Sequence, residues 1–258
     1  MKSLLILRHS ALQILRQPVS VFQIFFLPNL VTFVVFKLSG LAFVFSPIHL
    51  QVAMMRGAIP WGLFVGVSLL GLGLSWWSAL AWHRFILLGE YPKYPWPPVA
   101  WAAVGPFLKA AAVVCLAVFA LVFCASFVIG IVMGVAMAVT KHAPGWAAYV
   151  VAGALSVPIM IPALRLALGL PNAAVLGAGE LGKVWRSTRG TFWTFVAIFA
   201  CLFTIRYGLN VLLPRYGLTP FSSLGYVVVA VAEVLQAIFT LSIVTTLYGH
   251  HVEGRPLV

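Results

Sequence analysis

Residues 108–140 read LKAAAVVCLAVFALVFCASFVIGIVMGVAMAVT, an apolar run whose one charge, Lys109, stands at its start. A helix rises about 1.5 Å per residue, so roughly 20 such residues cross a hydrocarbon layer about 30 Å thick. This stretch is long enough to cross with tilt or to extend past the membrane. Similar runs fall at about 19–45, 59–82, 107–139, 146–169, 191–213 and 222–248, which predicts six crossings. Hydrophobic residues make up 63% of the chain and charged ones 8%, with a mean hydropathy of +1.09. A water-soluble domain of this size still exposes about a quarter to a third of its surface and could not hide so much apolar area. The expected fold class is therefore all-α, a polytopic membrane bundle forming one transmembrane domain over 1–258. A β-barrel does not fit, because the runs lack the alternation of lipid-facing and lumen-facing residues over ten-residue segments.

Before the first run, SLLILRHSALQILRQ (3–17) puts Leu4, Leu5, Ala11, Leu12 and Leu15 on one helical face and Lys2, His9, Gln13 and Arg16 opposite. This pattern predicts an amphipathic helix over 1–18 lying in the membrane interface, or else an inward extension of the first span. Lys2, Arg8 and Arg16 interrupt it, so it does not read as a cleavable signal peptide. In the fourth run Pro158 and Pro162 predict a kinked or locally broken helix. The segment GEYPKYPWPP (89–98) cannot be regular helix and reads as an ordered loop, with an interfacial turn around Trp101 before the third span. Within that span Ser126, Gly130, Gly134 and Ala138 recur every four residues, a stripe that lets another helix backbone approach closely. Packing inside the bundle is expected there, with a dimer contact as the other option. Cys115, Cys124 and Cys201 all fall in apolar runs and are expected to be buried packing residues.

The net charge of +12 comes from 16 Lys and Arg against four acids, Glu90, Glu180, Glu233 and Glu253. In a soluble chain that excess would suggest nucleic acid. Here the cations flank apolar spans, so the expected partners are anionic lipid headgroups, with another membrane protein as a second candidate and no nucleic acid. If the N-terminus is inside, Lys2, Arg8, Arg16, Arg84, Lys93, Lys183, Arg186, Arg189 and Arg255 lie inside and only Arg56, Lys141 and Arg215 outside. That bias predicts both termini in the cytoplasm and an even number of crossings. Arg84, Lys93, Lys183, Arg186 and Arg189 would form a cytoplasmic headgroup or partner surface.

The stretch ALRLALGLPNAAVLGAGELGKVWRSTRGTFW (163–193) carries Arg165, Pro171, Trp185, Thr188, Gly190, Phe192 and Trp193. On these residues the chain resembles bacterial six-helix inner-membrane proteins related to the membrane domain of glycerophosphodiester phosphodiesterases. The resemblance implies a six-helix fold and an inner-membrane location. It implies no reaction, since no phosphodiesterase domain accompanies it. Read physically, Leu181, Val184, Trp185 and Thr188 share one face of a short helix, Lys183, Arg186 and Arg189 reach toward headgroups, and Gly190 permits the turn into the fifth span.

Charges inside the spans are few. Glu233 sits about midway along the sixth run, where a carboxylate costs roughly 2.5 kcal/mol or more and needs a partner or water. Counted from the turn near 214–221, Arg206 and Glu233 lie at depths of roughly 12 and 18 Å, a gap an Arg side chain can close. Lys37 is the second candidate partner, so Glu233, Arg206 and Lys37 form the expected buried charge cluster. It would be either a structural ion pair or a proton- or substrate-handling site.

No catalytic, cofactor-binding or metal residues are expected. His83 with Glu90, or His250 and His251 with Glu253, would need the fold to gather a full ligand set. A bis-histidine haem needs His pairs at matched depth, whereas His83 and His250 read as lying at the membrane edge. A Ser-His-Asp hydrolase has no Asp to draw on, and no phosphate-binding Gly-rich loop is present. The leading expectation is a non-enzymatic scaffold or accessory subunit. The alternatives are a small permease centred on Glu233 and Arg206, and an enzyme acting on lipid headgroups through His83 or His250.

Overall fold

In the computed structural model, residues 2–41, 57, 59–91, 101–140, 145–177, 181–218 and 223–257 are described. They form nine α-helices and no strand: α1 (Lys2–Leu15), α2 (Pro18–Leu38), α3 (Trp61–Leu88), α4 (Trp101–Thr140), α5 (Gly145–Ala167), α6 (Gly169–Leu176), α7 (Leu181–Ser187), α8 (Phe192–Arg215) and α9 (Ser223–His251). Six helical segments are long and apolar enough to cross a membrane, one for each predicted run. The protein is an all-helical bundle with the make-up of a multi-pass membrane protein.

The bundle is arranged around α9, which packs against α1, α2, α3, α6 and α8. Helix α3 lies along α2, and Gly71 makes their close approach: a Cβ placed there would meet Thr32 Cγ2 at 3.2 Å. Helices α4 and α5 pair, α5 continues onto α8, and the short α6 is wedged between α3, α4, α5 and α9. One core joins Ile6, Leu164, Leu168, Val184, Phe195, Ile198, Ile243 and Leu247. A second joins Ile24, Phe25, Trp82, Phe85, Phe107 and Ala174. Both gather at the pole where Lys2 comes within electrostatic reach of His251, so the two chain ends share one end of the bundle.

Side chains are distributed in the reverse of a water-soluble protein. Ser10, Ser78, His83, Asn172, Ser242 and Thr245 are fully or almost fully buried, while Leu69, Leu116, Phe119 and Phe127 stand 62–70% exposed along the long helices. Apolar groups facing outward along whole helices while hydroxyls face inward is the pattern a lipid solvent selects. Inside the bundle a hydroxyl finds a hydrogen-bond partner, and outside it would find none.

Several local expectations are corrected. Helix α3 runs six residues past the predicted end of its span, so His83 and Arg84 lie inside the helix rather than at its exit. Gly89 ends it, with φ of 70° and its N–H bonded to Phe85 O at 3.0 Å. Trp101 is the first residue of α4 itself, not part of a preceding turn. Of the two options for the fourth span, a break is excluded: helix α5 is continuous through Pro158 and Pro162. The three cysteines are not core residues: Cys115 and Cys124 are exposed and Cys201 half-buried, on faces that carry lipid-compatible side chains.

Candidate functional sites

The expected pair forms. Helices α8 and α9 are antiparallel neighbours, and Arg206 Nη1 donates to Glu233 Oε1 in a salt bridge. Lys37 does not join it. Its ammonium sits 5.0 Å from the centre of the Tyr226 ring, a cation–π contact, and Tyr226 Oη donates to Phe33 O at 2.7 Å. The cluster therefore resolves into one ion pair between α8 and α9 and one cation–aromatic contact between α2 and α9. Of the other polar residues in the spans, Asn29 donates to Phe25 O within its own helix at 2.7 Å, and Gln236 Oε1 is buried without a hydrogen bond among the described residues.

The expected headgroup surface is divided. Lys183, Arg186 and Arg189 are exposed on and just after α7. Arg84 is not a free surface cation. It forms a two-point salt bridge with Glu90 and donates from Nη1 to Ala174 O at 2.7 Å, tying the end of α3 to α6. A nearly buried Arg must place its donors on acceptors, and these were the nearest ones. Lys93 lies outside the described residues.

Arg165, Trp185 and Thr188, which lie 20 to 23 residues apart, come together at the foot of α5. Arg165 Nε donates to Thr188 Oγ1 at 2.8 Å and Nη2 to Trp185 O at 2.5 Å, while the guanidinium stacks 3.9 Å from the centre of the Trp185 ring. Gly190, at φ of 79°, then turns the chain into α8.

The small-residue stripe on α4 does not pack as expected. Ser126, Gly130 and Gly134 are exposed, and a Cβ at either glycine would have no neighbour within 4 Å among the described residues. The side chain of Ala138 lies outside the described residues. The opposite half of α4 makes its contacts, to α3, α5 and α6, near the pole that holds the chain ends.

A polar seam along α9 was not anticipated. Ser242 Oγ bonds Gln13 Oε1 at 2.8 Å and Ser10 O at 3.0 Å, Ser10 Oγ lies 3.0 Å from Thr246 Oγ1, and Thr246 reaches Gln13 Oε1 at 3.2 Å. One turn away, Thr245 Oγ1 donates to Leu241 O at 2.7 Å. It therefore accepts from His83 Nδ1 at 2.8 Å, which leaves His83 Nε2 buried with no partner among the described residues. Tyr248 Oη donates to Asn172 Oδ1 at 3.0 Å, binding α9 to α6. The signal was present in the sequence as Ser242, Thr245 and Thr246, spaced at helical intervals in an otherwise apolar run.

The seam also places α1. Its buried residues are Ile6 and Ser10, and its outward ones include Leu4 and Leu15 at 70% and 73% exposure. The helix docks by a mixed face, with Ile6 in the first apolar core and Ser10 and Gln13 on the α9 seam, and turns Leu4 and Leu15 away from the bundle.

Two cavities flank the region. One of about 300 Å³, lined by His9, Gln13, Thr246, His250 and Arg255, lies under the C-terminal strap, which Arg255 pins through Leu87 O at 2.8 Å. One of about 490 Å³ lies between α4, α6 and α7, lined by Pro106, Lys109, Gly177 and Leu181. Neither reaches Arg206 or Glu233. Among the described residues no three His, Cys, Asp or Glu side chains gather into a metal-ligand group. No family model, no curated protein and no solved structure matches this chain.

Proposed function

We propose that the chain is a non-enzymatic scaffold or accessory subunit of a bacterial inner membrane, with both termini cytoplasmic, contacting anionic headgroups and a membrane-protein partner. The observation that carries this reading is how the polar side chains of α9 are used. Glu233 pairs with Arg206, neither cavity described above is lined by that pair, and Ser242, Thr245, Thr246 and Tyr248 hold α1, α3 and α6. What is left for other molecules is on the outside: apolar helix faces, above all on α4, and the cations of α7. A protein that moves a solute needs a wet path to its charged centre, and one that performs chemistry needs converging reactive groups. The resemblance of 163–193 to uncharacterised six-helix inner-membrane proteins is consistent with such a role.

The competing reading, a small permease, draws on one observation. The Arg206 and Glu233 side chains are 35% and 29% exposed, so the pair is not sealed. Purification of the tagged full chain from membranes in mild detergent, followed by reconstitution, separates the two. A scaffold retains a membrane-protein partner at constant stoichiometry, and its vesicles show no Glu233-dependent flux. A chain that travels alone and supports proton or solute uptake lost in Glu233→Gln overturns the scaffold reading.

A further inference from the structure

The contact of Arg165 with Trp185 and Thr188 leaves charge unaccounted for. The guanidinium is held on two edges and one face, by Thr188, by the Trp185 carbonyl and by the Trp185 ring, and its Nη1 makes no hydrogen bond among the described residues. Arg189, one residue past Thr188, is near enough to act on Arg165 by like-charge repulsion. Lys183 and Arg186 stand exposed on the same short helix. The three described glutamates are engaged elsewhere: Glu90 with Arg84, Glu233 with Arg206 and Glu253 with Arg255. Arg165 and Arg189 thus bring two like charges close together with no described acid between them. A pre-oriented fork next to a second cation is the arrangement that receives a phosphate. The surroundings select its source. Trp193 and Phe192 project from the next helix start at 77% and 50% exposure, and Trp185 is 38% exposed, a group of aromatic rings suited to the headgroup layer.

We propose that Arg165 and Arg189, backed by Lys183 and Arg186, form a site for the phosphate of one anionic phospholipid headgroup, with Trp185 as its floor. The proposal rests on the membrane-subunit reading above and names the lipid chemistry that the cationic pole takes.

The test uses the purified full chain in a neutral detergent. Short-chain phosphatidylglycerol, short-chain phosphatidylcholine and inorganic phosphate are titrated separately, with thermal unfolding and native mass spectrometry as readouts. Phosphatidylglycerol raises Tm and gives a one-lipid adduct, while phosphatidylcholine and inorganic phosphate do neither. Arg189→Gln loses the shift and the adduct, yet without lipid it unfolds at the same temperature as the parent or higher, since a repulsion has been removed. Arg165→Lys keeps the charge but loses the fork, and weakens the lipid response about tenfold.

Equal shifts with phosphatidylcholine, or an undiminished shift in Arg189→Gln, overturn the site. An equal shift with inorganic phosphate overturns the lipid as its ligand. Absence of any lipid shift together with a lower lipid-free Tm in Glu180→Gln assigns the counter-charge to the chain itself and also overturns the proposal. Failure of the scaffold reading has a different signature: no partner copurifies while the lipid response stays intact.

Discussion

Arg206 and Glu233 show how an ionisable pair survives in an apolar span. Each ion alone would cost a few kcal/mol in hydrocarbon, and pairing removes most of that cost without making the pair a strong source of stability. Glu233→Gln should therefore destabilise the detergent-solubilised protein by about 1–3 kcal/mol, because it leaves Arg206 uncompensated; the figure is held below that of a sealed pair because both side chains are about one-third exposed. The double variant Arg206→Leu/Glu233→Leu should recover most of the loss. Thermal unfolding of the parent, Glu233→Gln and the double variant checks this, and a double variant less stable than Glu233→Gln would show that the charges do more than cancel. This pair was legible in the sequence because depth can be counted along a helix, and the difference of about 6 Å between these two residues on consecutive spans is within reach of an Arg side chain. The Arg84–Glu90 pair and its bond to Ala174 O were not legible. Where α6 returns against α3 depends on packing of the whole bundle, and no spacing rule encodes it.

At the scale of elements, the six spans could be read because length and hydropathy decide them, but the way α1 docks could not. A helical wheel of 3–17 gathers Leu4, Leu5, Leu12 and Leu15 on one side, but it does not say which of the remaining residues meets the bundle. With lipid outside, Leu4 and Leu15 gain nothing by turning inward, whereas Ser10 and Gln13 gain hydrogen bonds to Ser242 and Thr246. In a background with the native cysteines replaced, Ser10→Cys/Thr246→Cys should form a disulfide on mild oxidation, read as a mobility shift reversed by reductant. A helix lying loose on the membrane surface would give none.

The contact between α6 and α7 makes a second demand at this scale. A Cβ at Gly169 would collide with Leu181 Cδ2, so Gly169→Ala should cost about 1–3 kcal/mol, and adding Leu181→Ala should restore the parent's unfolding temperature. If Gly169→Ala is silent in the presence of Leu181, the two short helices do not meet as described.

At the scale of the whole molecule, two independent lines meet. The charge bias counted along the sequence assigns the loops alternately to two sides, and the fold brings Lys2 and the end of α9 to one pole, as six crossings require. The same pole holds the two larger apolar cores, the hydroxyl seam, the Arg84 tie and the α7 cations, whereas the far half of α4 presents Phe123, Phe127 and Val128 outward. Charge near the ends of apolar helices is what a negative leaflet attracts, so the packed pole should face the cytoplasm. Fusions to each terminus test this directly. A fluorescent tag that matures only in the cytoplasm should light at both ends, and a phosphatase active only outside should be silent at both. Opposite results at the two ends would mean that one of the six helices does not cross, and α5 with its two prolines would be the first to re-examine. The reverse result at both ends would keep the six crossings and place the α7 cations on the outer leaflet, where the charge argument no longer holds.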